Sequence, residues 1–348
     1  MSETASENFE RFARDEFHNT SPLYEELSRG VAQDPELVTL AAQCRKDERM
    51  PNLFFAAVHY LLLTGVPHPL ARFYKSLGGS FDEREDPFPD FRAFCRQQSE
   101  GIRELIAVRL VQTNEVSRCA GLMPVFVAAS KLVPDRSLFL VDIGASAGLN
   151  LFWDHYGYRY GDGIEAGDRS SPVQIECALR GPSAPPLPAV FPAVTGRVGV
   201  DLNPLDVRIE EDALWLRALI WPEHETRAEL LRGAIAVVRQ QPLELLAGDG
   251  VDMLPEIMKT VPVDSVLCIV RIFTQLSPEG RGRLTTLVAD YAQKRDVMMI
   301  TARPHGGDDS EFHLTLFVNG QRNEQGLAYL QNHGNWIEWL NPVRAEGC

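Results

Sequence analysis

Apolar positions in the first third of the chain recur at helical spacing. Phe9, Phe12 and Phe17 fall near one face, and Leu23, Leu27 and Val31 follow at i, i+4 and i+8. Ser21-Pro22 offers a hydroxyl N-cap with proline at the first helical position, and Asp34-Pro35 opens a further helix through Leu37, Leu40 and Ala41. Residues 53–63 are apolar nearly all round, the pattern of a buried helix. Residues 80–90 are charged and carry Pro87 and Pro89, as a loop does, and 91–111 return to a helical pattern. Together these residues predict a helical lobe over 1–111, able to serve as a lid.

From residue 112 the pattern changes to short apolar runs separated by helical stretches. An apolar helix running to Leu132 leads through Pro134-Asp135 into 138–151, LFLVDIGASAGLNL. This is a buried strand, a glycine-spaced turn and the start of a helix. Further runs at 198–201, 243–246, 265–272 and 297–301 read as strands. Residues 214–239, interrupted at Trp221-Pro222, and 278–293 read as helices. Such alternation implies a mostly parallel sheet. The tail differs: 312–318 alternate like an antiparallel strand, Asn319-Gly320 is a turn dipeptide, 326–332 fit a short helix and 336–340 a last strand. Residues 152–196, with an aromatic stretch at 156–160 and prolines across 182–192, form an insertion, read here as a flap over the site.

In open α/β sheets ligands bind where loops leave the carboxyl ends of strands. The loop after Asp142 carries Gly144, Ser146 and Gly148, so its backbone can come close to a ligand. A dinucleotide fingerprint counted from Gly144 would need glycine where Ser146 and Leu149 stand. Asp142 at the strand end would repel a phosphate and attract a cation such as an amine. The other reading of the loop is a plain turn that joins strand to helix.

Composition narrows the partners. The chain has 348 residues, 45% hydrophobic and 24% charged, with a formal net charge of -14. That acidity disfavours a phosphate-backbone footprint, so no nucleic acid is expected and a small-molecule substrate is favoured over a protein one. The six cysteines have neither paired nor metal-ligand spacing, no apolar stretch reaches membrane length, and residues 1–15 lack a signal-peptide core. These features lead us to expect a cytoplasmic protein with no membrane partner.

The order of the pieces resembles the class I S-adenosylmethionine-dependent methyltransferases over residues 112–348. The residues that carry the resemblance are 141–148 (VDIGASAG), 200–204 (VDLNP), Gly248-Asp249-Gly250 and the antiparallel ending. More narrowly, the whole chain resembles domain-of-unknown-function family 2332. Its landmarks here are Thr113-Asn114-Glu115, residues 199–206, Trp215-Leu216-Arg217 with Trp221-Pro222, and residues 275–281. The resemblance implies a Rossmann-like, doubly wound, mostly parallel α/β sheet with an antiparallel C-terminal hairpin, after an N-terminal helical lobe. It also implies S-adenosylmethionine as cofactor.

On that resemblance the cofactor residues are Asp142, Gly144, Ser146, Gly148, Asp201, Leu202, Asp249 and Gly250. Asp201 suits the ribose diol, since a carboxylate accepts from both hydroxyls, or else caps its own turn. Asp249 suits the adenine amine, with Gly250 leaving room for the ring, or else is a turn acid. Asn150 is a candidate or an ordinary first-turn residue. Glu115, Arg271 and Gln275 are the catalytic candidates. Glu115 is a base or a first-turn acid favoured by the helix dipole. Arg271, in an apolar strand, needs a carboxylate or a ligand. His224, His305 and His313 are further candidate bases, and Trp221 and Glu223 candidate pocket residues. The segment from His305 to His313 reads as a solvated turn rather than a metal site, and no metal is expected. The leading expectation is methyl transfer to an unidentified acceptor. The alternatives are a non-catalytic binder of the cofactor or a partner, and an NAD(P)-dependent oxidoreductase.

Overall fold

The computed structural model describes residues 3–45, 48–112, 114–188, 190–272, 274, 276–318 and 321–340. The chain divides into two compact units, Met1–Thr113 with Arg208–Glu229, and Asn114–Val207 with Leu230–Cys348.

The first unit is helical. α1 (Ala5–Phe12) opens on a reciprocal cap between Thr4 and Glu7. α2 (Pro22–Ala32) and α3 (Pro35–Ala41) start on Ser21 and Asp34, whose side chains accept from first-turn amides with proline just inside each helix. α4 (Met50–Leu63) is buried along most of its length. Its Phe54 and Phe55 both meet Phe9 edge-on at 5.9 Å, which is why the early phenylalanines face inward. The expected loop over 80–90 ends sooner than its prolines suggested. α5 (Phe88–Gln97) takes Pro89 into its first turn, where a missing amide costs nothing, and α6 (Ser99–Val108) follows.

The second unit holds every strand among the described residues. α7 (Cys119–Ser130) is buried all round and precedes β1 (Ser137–Ile143), itself buried from Leu138 onward. Strands of parallel sheets read as unbroken apolar runs for this reason. The segment after β1 is not the expected α-helix. It is a 3-10 stretch (Leu149–His155) with a kink at Phe152, closed by the Tyr156 hydroxyl donating to Leu149 O at 2.7 Å. The insertion is not a flap. It builds β2 (Gly157–Tyr160), β3 (Ile164–Gly167) and β4 (Gln174–Arg180).

β5 (Val194–Asp201) pairs parallel with β1. The chain then returns to the first unit for α8 (Glu210–Ala218). There His59 of α4 meets Ala218 O at 3.0 Å and Ser76 Oγ at 2.7 Å. The predicted interruption at Trp221-Pro222 separates α8 from α9 (Glu225–Val238). Then come β6 (Glu244–Ala247), α10 (Gly250–Thr260), β7 (Ser265–Arg271), α11 (Pro278–Ala292) and β8 (Val297–Gly306). Three strands close the sheet: β9 (Asp309–Val318), β10 (Gln321–Gln331) and β11 (Trp336–Trp339). β8, β9 and β10 form an antiparallel meander, so residues 326–332, expected as a helix, belong mostly to a strand. The Asn319-Gly320 turn lies outside the described residues.

Among the described residues the eleven strands run in the order β3-β2-β4-β11-β10-β9-β8-β7-β1-β5-β6. β1 therefore stands between β5, the next of the central parallel strands in the chain, and β7, reached only after β6. The sheet's direction of winding reverses there. Parallel β1, β5, β6, β7 and β8 with an antiparallel tail make this a Rossmann-like mixed α/β fold. α10 and α11 seal one face through Val251, Leu254, Leu284 and Val288 against Val141, Ile143, Val198 and Leu267. The insertion strands lie at the far edge, beyond β11, which pairs parallel with β4.

Candidate functional site

The winding reversal directs attention to the bend after β1. Gly144 (φ 87°), Ser146 (φ 51°) and Gly148 (φ 69°) all take left-handed backbone conformations. Serine pays for that geometry where glycine does not, and such strain is characteristic of functional turns. The bend is tied to β5, because the Gly144 and Ala145 amides both donate to Val200 O, at 2.8 and 3.2 Å.

The glycines make room for the protein itself. A Cβ on Gly144 would lie 1.8 Å from Thr274 Oγ1, and the Thr274 hydroxyl donates to Ile143 O at 2.8 Å. One on Gly148 would lie 2.8 Å from Leu243 Cδ2, and one on Gly250 2.6 Å from Ile143 Cγ2. Gly144 thus lets the loop after β7 close on the end of β1. Gly250, expected to leave room for a ring, lets α10 pack on β1.

Asp201, at the end of β5, organises the bend. One carboxylate oxygen accepts from the Ser146 amide at 2.8 Å, the other from the Asn203 amide at 2.9 Å. Each oxygen keeps a second lone pair. The Ser146 side chain is bonded by the Asn114 amide group. Leu202, next to Asp201, is 79% exposed. Asp249 caps α10 by accepting from the Val251 and Asp252 amides, at 2.8 and 3.1 Å, while Gly248 N donates to Asp201 O at 2.9 Å.

Asp142 is different in kind. It is buried, and Arg118 stands near enough to favour its charge. Burial, reinforced by the neighbouring Asp201 charge, pushes its carboxyl up to about 7. Burying a carboxylate is costly, and carboxyls with raised pKa values cluster at functional sites.

Glu115 is buried at the start of a 3-10 turn. It accepts from Ser117 N at 3.4 Å and faces His333 Nδ1, also at 3.4 Å. Arg271 ends β7 half-buried, donating to Thr274 O at 3.0 Å, and its Nε is buried without a partner among the described residues. Gln275 lies outside the described residues, as does Thr113. Asn150 accepts from the Cys119 thiol at 3.4 Å.

The other candidates stand elsewhere. His224, Glu223 and Trp221 belong to the helical unit. Glu223 there accepts from the Ser21 hydroxyl and the Leu23 amide, at 2.7 and 3.2 Å, and Trp221 packs on Phe17 at 4.9 Å. His305 stacks on Tyr329 at 3.8 Å, and His313 lies 3.2 Å from Glu311. Among the described residues no group of three or more His, Cys, Asp and Glu is placed to hold a metal ion. No helix there is long and apolar enough to cross a membrane.

The structure thus gathers Asp142, Gly144, Ser146, Gly148 and Asp201 at one bend, adds Asp249 and Gly250 through β5 and β1, and reaches Arg271 through Thr274. Sequence reasoning missed Asn114 and Thr274, the two side chains that brace the bend. Asn114 stood inside a landmark tripeptide, a usable signal. Thr274 offered none.

Fold and bend together define a Rossmann-like α/β protein with an acidic turn at the carboxyl ends of its central strands. The chain belongs to the family of uncharacterized proteins conserved in bacteria (DUF2332), whose profile matches residues 6–339. No curated protein matches it.

Proposed function

We propose that this protein binds S-adenosylmethionine at the β1 bend and transfers its methyl group to a small-molecule acceptor. The observation that carries the reading is Asp142, a buried residue whose carboxyl is pushed up by burial and by the charge of neighbouring Asp201, at the point where the sheet reverses. Two neighbouring carboxylates repel a pyrophosphate and favour a cationic, phosphate-free ligand carrying an amine, a sulfonium and a diol. The same feature argues against a nicotinamide dinucleotide.

When bound, the cofactor supplies a methyl group already activated on sulfur. Asp201, held in place by two backbone amides, presents its remaining lone pairs to the ribose hydroxyls. Asp142 offers negative charge to the amine or sulfonium. The bend, fixed by Val200 O and Thr274, would hold the donor in place, and alignment of donor with acceptor can lower a displacement barrier by several kcal/mol. Binding without transfer is the second reading. It is favoured by Glu115, the candidate base, already accepting from Ser117 N and facing His333.

Calorimetric titration of the full chain tests this. S-adenosylmethionine and S-adenosylhomocysteine should bind, and Asp142→Asn should weaken the former by about tenfold, the scale of one charge-assisted contact. NADH binding in their place would overturn the proposal.

A further inference from the structure

The carboxyl ends of β7 and β8 hold arginines that the Asp142 site does not use. Arg271 closes β7, and its register partner on β8 is Thr301. Arg303 stands two residues further along β8, so its side chain leaves the same face of the sheet. Arg281 sits in the first turn of α11, directly after the loop from β7. Arg281 and Arg303 are close enough to Arg271 for their charges to oppose its own.

Arg271 and Arg281 make no ion pair among the described residues. Each is held by a backbone carbonyl, Arg271 by Thr274 O at 3.0 Å and Arg281 by Leu276 O at 2.6 Å. Arg271 Nε is buried with no hydrogen-bond partner among the described residues. Arg303 alone has a carboxylate, on Glu324, and Arg322 shares it. Arg281 also lies at a helix N-terminus, the end that repels cations and attracts anions. A buried guanidinium donor without a partner among the described residues, a second arginine without an ion pair there and a helix N-terminus therefore lie together at the carboxyl ends of the strands, where α/β folds bind ligands.

We propose that Arg271, Arg281 and Arg303 form an oxyanion site that receives a carboxylate or phosphate group of the substrate. Guanidinium forks match both groups. The site adds to the reading of the β1 bend and does not depend on it. The acidic bend would take the cationic ligand and the arginines the anionic one.

The test is calorimetric titration of the full chain with sodium phosphate and with sodium succinate, each against sodium chloride at matched ionic strength. Saturable binding of either ion, with a Kd on the order of 1 mM, is expected. Phosphate alone would indicate a phosphorylated substrate and succinate alone a carboxylic acid. Both Arg271→Met and Arg281→Gln should weaken binding by about tenfold. Arg281 is exposed, so Arg281→Gln serves even where Arg271→Met impairs folding. Arg169→Gln, in the insertion and paired there with Glu165, should change nothing. A wild-type response no greater than that to chloride, or full affinity in Arg281→Gln, would overturn the proposal. S-adenosylmethionine is absent from these titrations. A chain that takes phosphate or succinate but not S-adenosylmethionine loses the methyl-transfer reading and keeps this one.

Discussion

Replacing Asp142 with asparagine removes a charge while keeping the shape of the side chain. In the folded protein burial and the Asp201 charge raise the Asp142 carboxyl from an ordinary 3.8 to about 7. The folded state therefore holds this proton more tightly than the unfolded chain. Below pH 4 both states are protonated and the group costs nothing. As pH rises from about 4 to about 7 the unfolded chain ionises first, and stability falls by about 1.4 kcal/mol per pH unit. Above pH 7 both states are ionised and the loss levels off, on the order of 4 kcal/mol. Asparagine does not titrate. The stability of Asp142→Asn minus that of wild type should climb between pH 4 and 7 and then stay flat. Urea denaturation followed by circular dichroism at half-unit steps from pH 5 to 8 measures this. Any cost of burying the asparagine amide shifts the whole curve without changing its slope. A difference that does not vary across this range would refute the account of Asp142 as an acid whose ionisation is opposed by burial and by Asp201.

Two further outcomes follow from other contacts. Gly144→Ala should cost well over 1 kcal/mol, because φ is 87° and the new Cβ would meet Thr274 Oγ1. Adding Thr274→Ala should recover the clash but not the backbone strain, a difference that a double-mutant cycle in urea resolves. His59 is buried and its imidazole is depressed from 6.5 to about 4, so its contribution is present above pH 6.5 and lost as pH falls toward 4. The loss is about 3 kcal/mol, and a His59→Gln variant should show no matching decline in acid.

The strands flanking the site were legible because each is a short apolar run ending in a polar turn, and Ser21 and Asp34 announced their helices through proline. The misread elements have physical causes. Leu327, Ala328 and Leu330 are all buried because the register of β10 shifts between Gly326 and Ala328, and a strand apolar on both sides has no alternation to detect. The 3-10 stretch after Gly148 looked like a helix because its apolar residues are helically spaced. Its course is decided by Tyr156 bonding back to Leu149 and by the entry into β2. Within the site, the acids at the strand ends could be singled out, but not what they hold. Asp201 and Asp249 accept backbone amides, which carry no side-chain signature. Thr274 reaches Ile143 across 131 residues and His333 reaches Glu115 across 218, contacts that only the folded chain creates.

β11 is a four-residue strand with an outsized part in assembly. It is inserted between β10 and β4, joining the block β3-β2-β4 to the other seven strands. A ribosome releases β4 roughly 160 residues before the partner it will pair with, since Ala178 is matched to Trp336. Until then β4 has an open edge, and nascent chains are most prone to mispairing at such edges. Completion of this sheet is thus a late event in synthesis, set by one short strand threaded between two waiting halves.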